Sequence, residues 1–299
     1  MNLNELKSNG GIISYSAGSS SLDPLSFRIT EEGSAKIGAA VLLFPQLVKY
    51  LQKTPVVINC YPATLGSFNS VIYLDTYLRP INFSRGLMLA NELDTACIIL
   101  GQPLTVMDLL FKHCCAEPSL PTPDKVLFAL GGYFAPTSFE QSISQLLNPL
   151  NVEHDLLHAY GMAEIDFGCL LGINRENESK VRFKIANPEV QVKLDDGKLL
   201  LGRAVDGSFF NTGDRASWDN ELLTITPGEH RISQEIMASL EQWKFQDWKK
   251  RTGHVGRKNS RLVYQLRENE DSNNDAEIDF FDFSRIFKMS WAAKPGWSI

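Results

Sequence analysis

A chain of 299 residues can bury a sizeable core and has room for one large domain or two ordinary ones. Its 43% hydrophobic and 21% charged residues make a globular composition, and its net charge of −6 disfavours nucleic acid and anionic membranes as partners. No apolar run is long enough to span a membrane and the start, Met1-Asn2-Leu3-Asn4-Glu5, is no secretory leader; with Cys60, Cys97, Cys114, Cys115 and Cys169 lacking CxxC spacing, a cytoplasmic protein with reduced, mostly buried thiols is expected.

The first predicted element is a short strand at Ile12 and Ile13, running into Ser16-Ala17-Gly18-Ser19-Ser20-Ser21 and then Pro24. Such a loop either brings bare backbone N–H groups and hydroxyls against an anion or is a surface turn. Residues 35–51 are apolar at helical spacing. "PVVIN" at 55–59, "ACIILG" at 96–101 and "KVLFALGG" at 125–132 read as buried strands, the last ending in a double glycine. "PLTVMDLLFKHC" at 103–114 reads as a helix begun by proline, and "SFEQSISQLL" as one with Ser138 as N-cap and Gln141 completing a capping box. His113 beside Cys114-Cys115 has too few neighbouring ligands for a metal site, so a structural role is expected.

Strands alternating with helices predict an α/β fold with a largely parallel sheet, whose ligands bind at the carboxyl ends of the strands. The loops at Gly18 and at Gly131-Gly132 are expected there. After residue 173 the pattern changes. "EVQVKLDDGKLLLG" alternates and turns at Asp196-Gly197, and "ELLTITPG" is another short strand, so a small antiparallel β-subdomain is expected beside the sheet. Residues 267–279 form an acidic run read as a solvated linker, followed by a tail dense in aromatics. The resulting division is 1–173 for a nucleotide-binding α/β unit, 174–265 for a β-rich unit and 266–299 for linker and tail.

Three further stretches carry candidate chemistry. In "LLHAYGMAEIDFG" a flat ring beside a glycine, Tyr160-Gly161, suits a planar base, and Glu164 four positions on could hold Mg²⁺. The other reading is a core tyrosine and a solvated glutamate. Asn211-Thr212-Gly213-Asp214 is turn chemistry, and "RTGHVGRKNSRLVY" at 251–264 is a basic, glycine-broken segment ending in a strand.

Taken in order, these stretches resemble the adenylate-forming superfamily of acyl- and aryl-CoA synthetases and peptide-synthetase adenylation domains. "YSAGSSSLDP" resembles its phosphate loop, "ALGGYFAP" its adenine loop and "HAYGMAEI" its YGMTE motif. "NTGDRASWD" resembles its TGD motif and "GRKNSRLVY" its hinge. The resemblance implies that Ser16, Gly18, Ser19 and Ser20 wrap the phosphates of ATP and that Gly131, Gly132 and Tyr133 line the adenine slot. Tyr160, with Gly161 beside it, would stack on adenine, Glu164 would bind Mg²⁺, Asp214 would hold the ribose and Arg257 would reach ribose or phosphate. The implied reaction is attack of a carboxylate on the α-phosphorus, giving an acyl-adenylate for transfer to an acyl-carrier protein or CoA thiol.

The departures from the pattern are specific. Leu25 stands where the family has lysine, Ser21 where it has the third loop glycine, Ala163 where it has threonine, and Asn259 or Ser260 where it has the hinge aspartate. No N-terminal subdomain precedes the phosphate loop, and no catalytic-lysine motif surrounds Lys288 or Lys294, so a core lacking that subdomain and the C-terminal lid is expected. Besides an acid–AMP ligase, a catalytically eroded nucleotide-binding or structural subunit of a biosynthetic complex fits these losses. The aromatic tail and the faces left open predict a homo-oligomer or a protein partner.

Overall fold

Runs of β-branched and aliphatic residues too short for helices become strands buried on both faces, and this is how the sheet of the protein begins. The structure is a computed structural model that describes residues 12–15, 27–30, 34–61, 71–116, 119–132, 134–162, 165–173, 181–204, 207–226, 228, 234–251, 255–258, 261–266 and 276–282. After a two-stranded antiparallel pair, β1 (Ile12–Tyr15) and β2 (Phe27–Thr30), comes helix α1 (Ser34–Leu43). The helical pattern expected over 35–51 is broken by Pro45, which starts a 3-10 turn at Pro45–Tyr50 instead.

Five parallel strands follow: β3 (Val56–Asn59), β4 (Ile72–Asp75), β5 (Cys97–Gly101), β6 (Lys125–Leu130) and β7 (Glu153–Met162). Between them run α2 (Pro80–Glu92), α3 (Pro103–Cys114) and α4 (Thr137–Leu147), with proline opening α2 and α3 as a first-turn residue without need of its N–H. β8 (Asp166–Ile173) turns back antiparallel to β7. It is followed by β9 (Arg182–Ile185), β10 (Val190–Asp195), β11 (Lys198–Arg203), β12 (Phe209–Asp219) and β13 (Leu222–Thr226). Two short helices, α5 (Gln234–Gln242) and α6 (Phe245–Arg251), and a three-stranded sheet of β14 (Val255–Lys258), β15 (Arg261–Leu266) and β16 (Ala276–Asp282) complete the described chain.

The fold class is therefore mixed α/β, with a parallel run of strands, flanking helices and an antiparallel region. The two regions share one eleven-stranded sheet in the order β10-β11-β12-β13-β9-β8-β7-β6-β5-β3-β4, so the antiparallel strands continue the sheet where a subdomain beside it was expected. The boundary placed at residue 173 falls between β8 and β9, which pair through Ile173↔Arg182.

One face of the parallel strands packs Val56, Ile58, Ile99, Val126 and Phe128 against Phe83, Leu110, Phe139, Leu240 and Trp248 from α2 to α6. The other packs Val57, Ile98, Leu127 and Leu157 beneath Ala40, Phe44, Leu47 and Tyr50. The antiparallel strands enclose a third core around Cys169, Leu170, Phe183, Leu199, Leu201 and Leu223.

Ser138 does not cap α4. Pro136 is the N-cap and Ser138 lies inside the helix, buried, its Oγ donating to Leu240 O at 2.5 Å and accepting Trp248 Nε1–H at 3.2 Å. The hydroxyl thus ties α4 to α5 and α6. Among the described residues β1 pairs only with β2, and the Gly18 loop expected at a strand end lies outside the described residues. Residues 276–279 of the expected linker are strand, paired with β15. The thiols of Cys60, Cys97 and Cys169 are buried, while Cys114 is half-buried and Cys115 exposed. No described helix is long and apolar enough to cross a membrane.

Candidate functional site

Chain direction in the parallel sheet fixes where a cleft can open. From β3 the chain steps outward to the edge strand β4, then crosses back to β5, β6 and β7 on the other side. The loops leaving β3 and β5 therefore diverge at their carboxyl ends, the place where open α/β sheets bind ligands. Tyr61 follows β3 and Gln102 follows β5, and both lean toward the double glycine that ends β6.

Gly131 stays in the sheet, its N–H donating to Gly101 O at 3.1 Å. A Cβ on Gly131 would sit 2.9 Å from Ala159 O and 2.6 Å from the Tyr61 hydroxyl. A Cβ on Gly132, whose φ is +91°, would sit 2.8 Å from Gln102 Nε2. Both positions are thus bare backbone because neighbouring strands and side chains already fill the space.

Tyr160 comes from the last turn of β7, beyond the end of β6. Phe134 stacks on its ring, with centroids 6.1 Å apart and planes 16° apart, and Phe183 of β9 meets it edge-on at 6.1 Å. Its hydroxyl donates to Asp214 Oδ2 at 2.5 Å. Burial first, and the Asp214 carboxylate second, push the phenol above its ordinary pKa, so the group stays a neutral donor.

Asp214 is aimed by its own strand. The NTGD segment, expected as a turn, is a bulge within β12. Opposite it the β11–β12 register shifts between Lys198 and Leu200, and Gly213 takes φ +81°. Asn211 Oδ1 accepts the Gly213 N–H at 2.9 Å, Thr212 Oγ1 accepts the Asp214 N–H at 3.1 Å, and the same hydroxyl donates to Leu199 O at 2.9 Å. Asp214 Oδ1 accepts the Gly228 N–H at 2.6 Å. A carboxylate only accepts, and these contacts fix the orientation of Asp214 at the end of the Tyr160 ring.

Gly161 has a further reason to be glycine. The β7–β8 register shifts between Tyr160 and Met162, and a Cβ at Gly161 would lie 2.0 Å from Asp166 O. The structure thus joins Tyr160, Gly161 and Asp214 in one place and sets Gly131 and Gly132 at the end of the adjacent strand. Arg257 lies on β14 opposite Leu262, in the separate three-stranded sheet. Ser16, Gly18, Ser19, Ser20, Tyr133 and Glu164 lie outside the described residues, as do Ser21, Leu25 and Ala163. Among the described residues no cluster of three or more His, Cys, Asp or Glu is arranged to hold a metal ion.

Sequence reasoning missed Phe134, Phe183 and Thr212. Phe183 had a signal, an apolar ring in the polar strand "RFKI"; Phe134 was hidden by Tyr133 next to it, and Thr212 by being read as part of a turn.

No family model matches the chain, and no curated protein matches it in sequence. Among solved structures, it is similar to an acyl-CoA synthetase (AMP-forming)/AMP-acid ligase II-like protein from Dyadobacter fermentans, with 16% identity over 68% of this chain and 56% of that one, TM-score 0.38. It is similar to coronafacic acid ligase from Pectobacterium brasiliense, with 13% identity over 85% of this chain and 54% of that one, TM-score 0.49. A long-chain-fatty-acid-CoA ligase from Archaeoglobus fulgidus matches with 12% identity over 82% of this chain and 53% of that one, TM-score 0.42. The chain spans about half the length of these structures, and similarity of this degree assigns no residue a role.

Proposed function

We propose that the chain binds ATP at the carboxyl ends of β6 and β7 and activates a carboxylic acid as its acyl-adenylate, for transfer to a carrier-protein or CoA thiol. The observation that carries this reading is the hydrogen bond between Tyr160 and Asp214, residues of two separate motifs brought together beside the Gly131-Gly132 backbone. The aromatic ring of Tyr160 and the oriented carboxylate of Asp214 suit the base and the hydroxyls of an adenine nucleoside. In this reading Tyr160 extends its stack with Phe134 to the base and Asp214 accepts from the ribose hydroxyls. Ser16, Gly18, Ser19 and Ser20 cradle the phosphates, Tyr133 lines the slot, Arg257 reaches ribose or phosphate, and Glu164 holds Mg²⁺. What the protein supplies is position and charge complementarity around the α-phosphorus. A second reading, a nucleotide-binding subunit without turnover, is favoured by Leu25 and Ala163, which remove a cation and a hydroxyl from the phosphate side.

The test is acid-dependent pyrophosphate release over a panel of aliphatic and aromatic acids, for the wild type and for Leu25→Lys. Release from either supports the ligase, with Leu25→Lys the faster. Silence from both on every acid removes turnover by this chain alone and leaves the binding subunit.

A further inference from the structure

Gln102 is the residue that directly follows β5 and stands at the N-cap of the twelve-residue helix α3. It is only 5% exposed, yet among the described residues its Oε1 has no hydrogen-bond partner. Buried amides without partners are rare in folded proteins, because the cost of stripping water from them is otherwise uncompensated. This one sits where the loops after β3 and β5 diverge, with its amide beside Gly132. The Nε2 and Cδ atoms lie 2.8 and 3.3 Å from where a Cβ of that glycine would be. Gly132 itself is exposed, so the amide lies close beneath the surface at the carboxyl end of the sheet.

We propose that Gln102 reads the acid, accepting a hydrogen bond from a hydroxyl group carried by a hydroxy acid. This assignment rests on the reading of the neighbouring site as one that takes a carboxylic acid. The chemistry favours a hydroxyl over an ammonium group. An amide is uncharged, the Gly132 backbone beside it is uncharged, and the start of α3 carries the positive end of a helix dipole, which repels a cation. A hydroxyl both donates and accepts, so it satisfies an amide from either side. A deoxy acid offers Oε1 no donor and loses affinity by about ten- to a hundredfold.

The experiment is calorimetric titration of the wild-type chain with matched acids: β-hydroxybutyrate against butyrate, para-hydroxybenzoate against benzoate, and γ-aminobutyrate. AMP is titrated separately. At least one hydroxy acid is expected to bind about ten- to a hundredfold tighter than its deoxy partner, with no binding of the amino acid, and Gln102→Met is expected to erase the difference. That variant also removes an unpartnered polar group, so its melting temperature rises by a few degrees, of order 1–5 °C. Equal affinities within every pair, or no binding of any acid, overturn the assignment whether or not AMP binds, as does a lower melting temperature for Gln102→Met. Discrimination between acids without AMP binding leaves the assignment standing and overturns the nucleotide reading. Should the variant fail to fold, the wild-type pairs decide.

Discussion

The two regions of the eleven-stranded sheet solve burial in different ways. In the parallel region every residue of β3 is buried, because helices cover both faces, and the sequence is an unbroken apolar run. In the antiparallel region β10 and β12 alternate, and most of β12 is exposed on one side. β7 belongs to both regimes. Its Leu156 faces the helix-covered core and its Tyr160 the antiparallel core. The dry region supplies a rigid base with bare glycine backbone, while the wetter one supplies a polar arm, Asp214, that reaches back to it. The candidate site exists at the seam, and neither region contains it alone.

The seam can be broken most severely at Gly161. A Cβ there meets the backbone of Asp166, which no side-chain motion relieves. Gly161→Ala is expected to destabilise the fold by about 3 kcal/mol or more in urea titration. The dryness of the parallel region is sharpened by acid. Burial lowers His158 and His113 from the ordinary histidine value to about 4. Between about pH 6.5 and 4 the unfolded chain takes up protons that the folded chain refuses, so stability is full above this window and falls as pH drops through it. Each histidine contributes a slope of about 1 kcal/mol per pH unit, and His158→Leu is expected to remove its share.

The tie across the seam is tested by Tyr160→Phe, expected to cost about 1–2 kcal/mol because Asp214 loses a donor. The raised phenol gives this variant a second signature. Above about pH 10 the unfolded wild-type chain releases a proton that the folded one keeps, so stability falls as pH rises, and Tyr160→Phe shows less of that fall. The smallest effect belongs to the wet region. Arg182 pairs with Asp219 at 2.6 Å across partly exposed strands, and Arg182→Ala is expected to change stability by less than about 1 kcal/mol.

The sequence made most of the strands legible because their signals are local. "VVIN" and "CIILG" need only apolar continuity, and the β10–β11 hairpin needs only Asp196-Gly197, which take φ +49° and +72° as such a turn requires. What was not legible is long-range. Ser138 looked like a cap because its use, bridging α4 to Leu240 and Trp248, depends on helices about a hundred residues away. The NTGD segment looked like a turn because a bulge inside a strand uses the same residues as a turn. Tyr160 and Asp214 were each singled out by motif, but their contact, and the enclosure by Phe134 and Phe183, follow from strand order, which local patterns do not encode.

The central claim is that the Tyr160–Asp214 seam holds an adenine nucleotide. Its most direct test is a calorimetric titration of ATP with Mg²⁺ into the wild-type chain and into Asp214→Ala, with circular dichroism to confirm that both are folded. Saturable binding to the wild type and at least about tenfold weaker binding to Asp214→Ala are expected, since hydrogen bonds to a charged acceptor are lost. Equal binding by the two folded proteins, or no heat from the wild type at millimolar nucleotide, would contradict the claim.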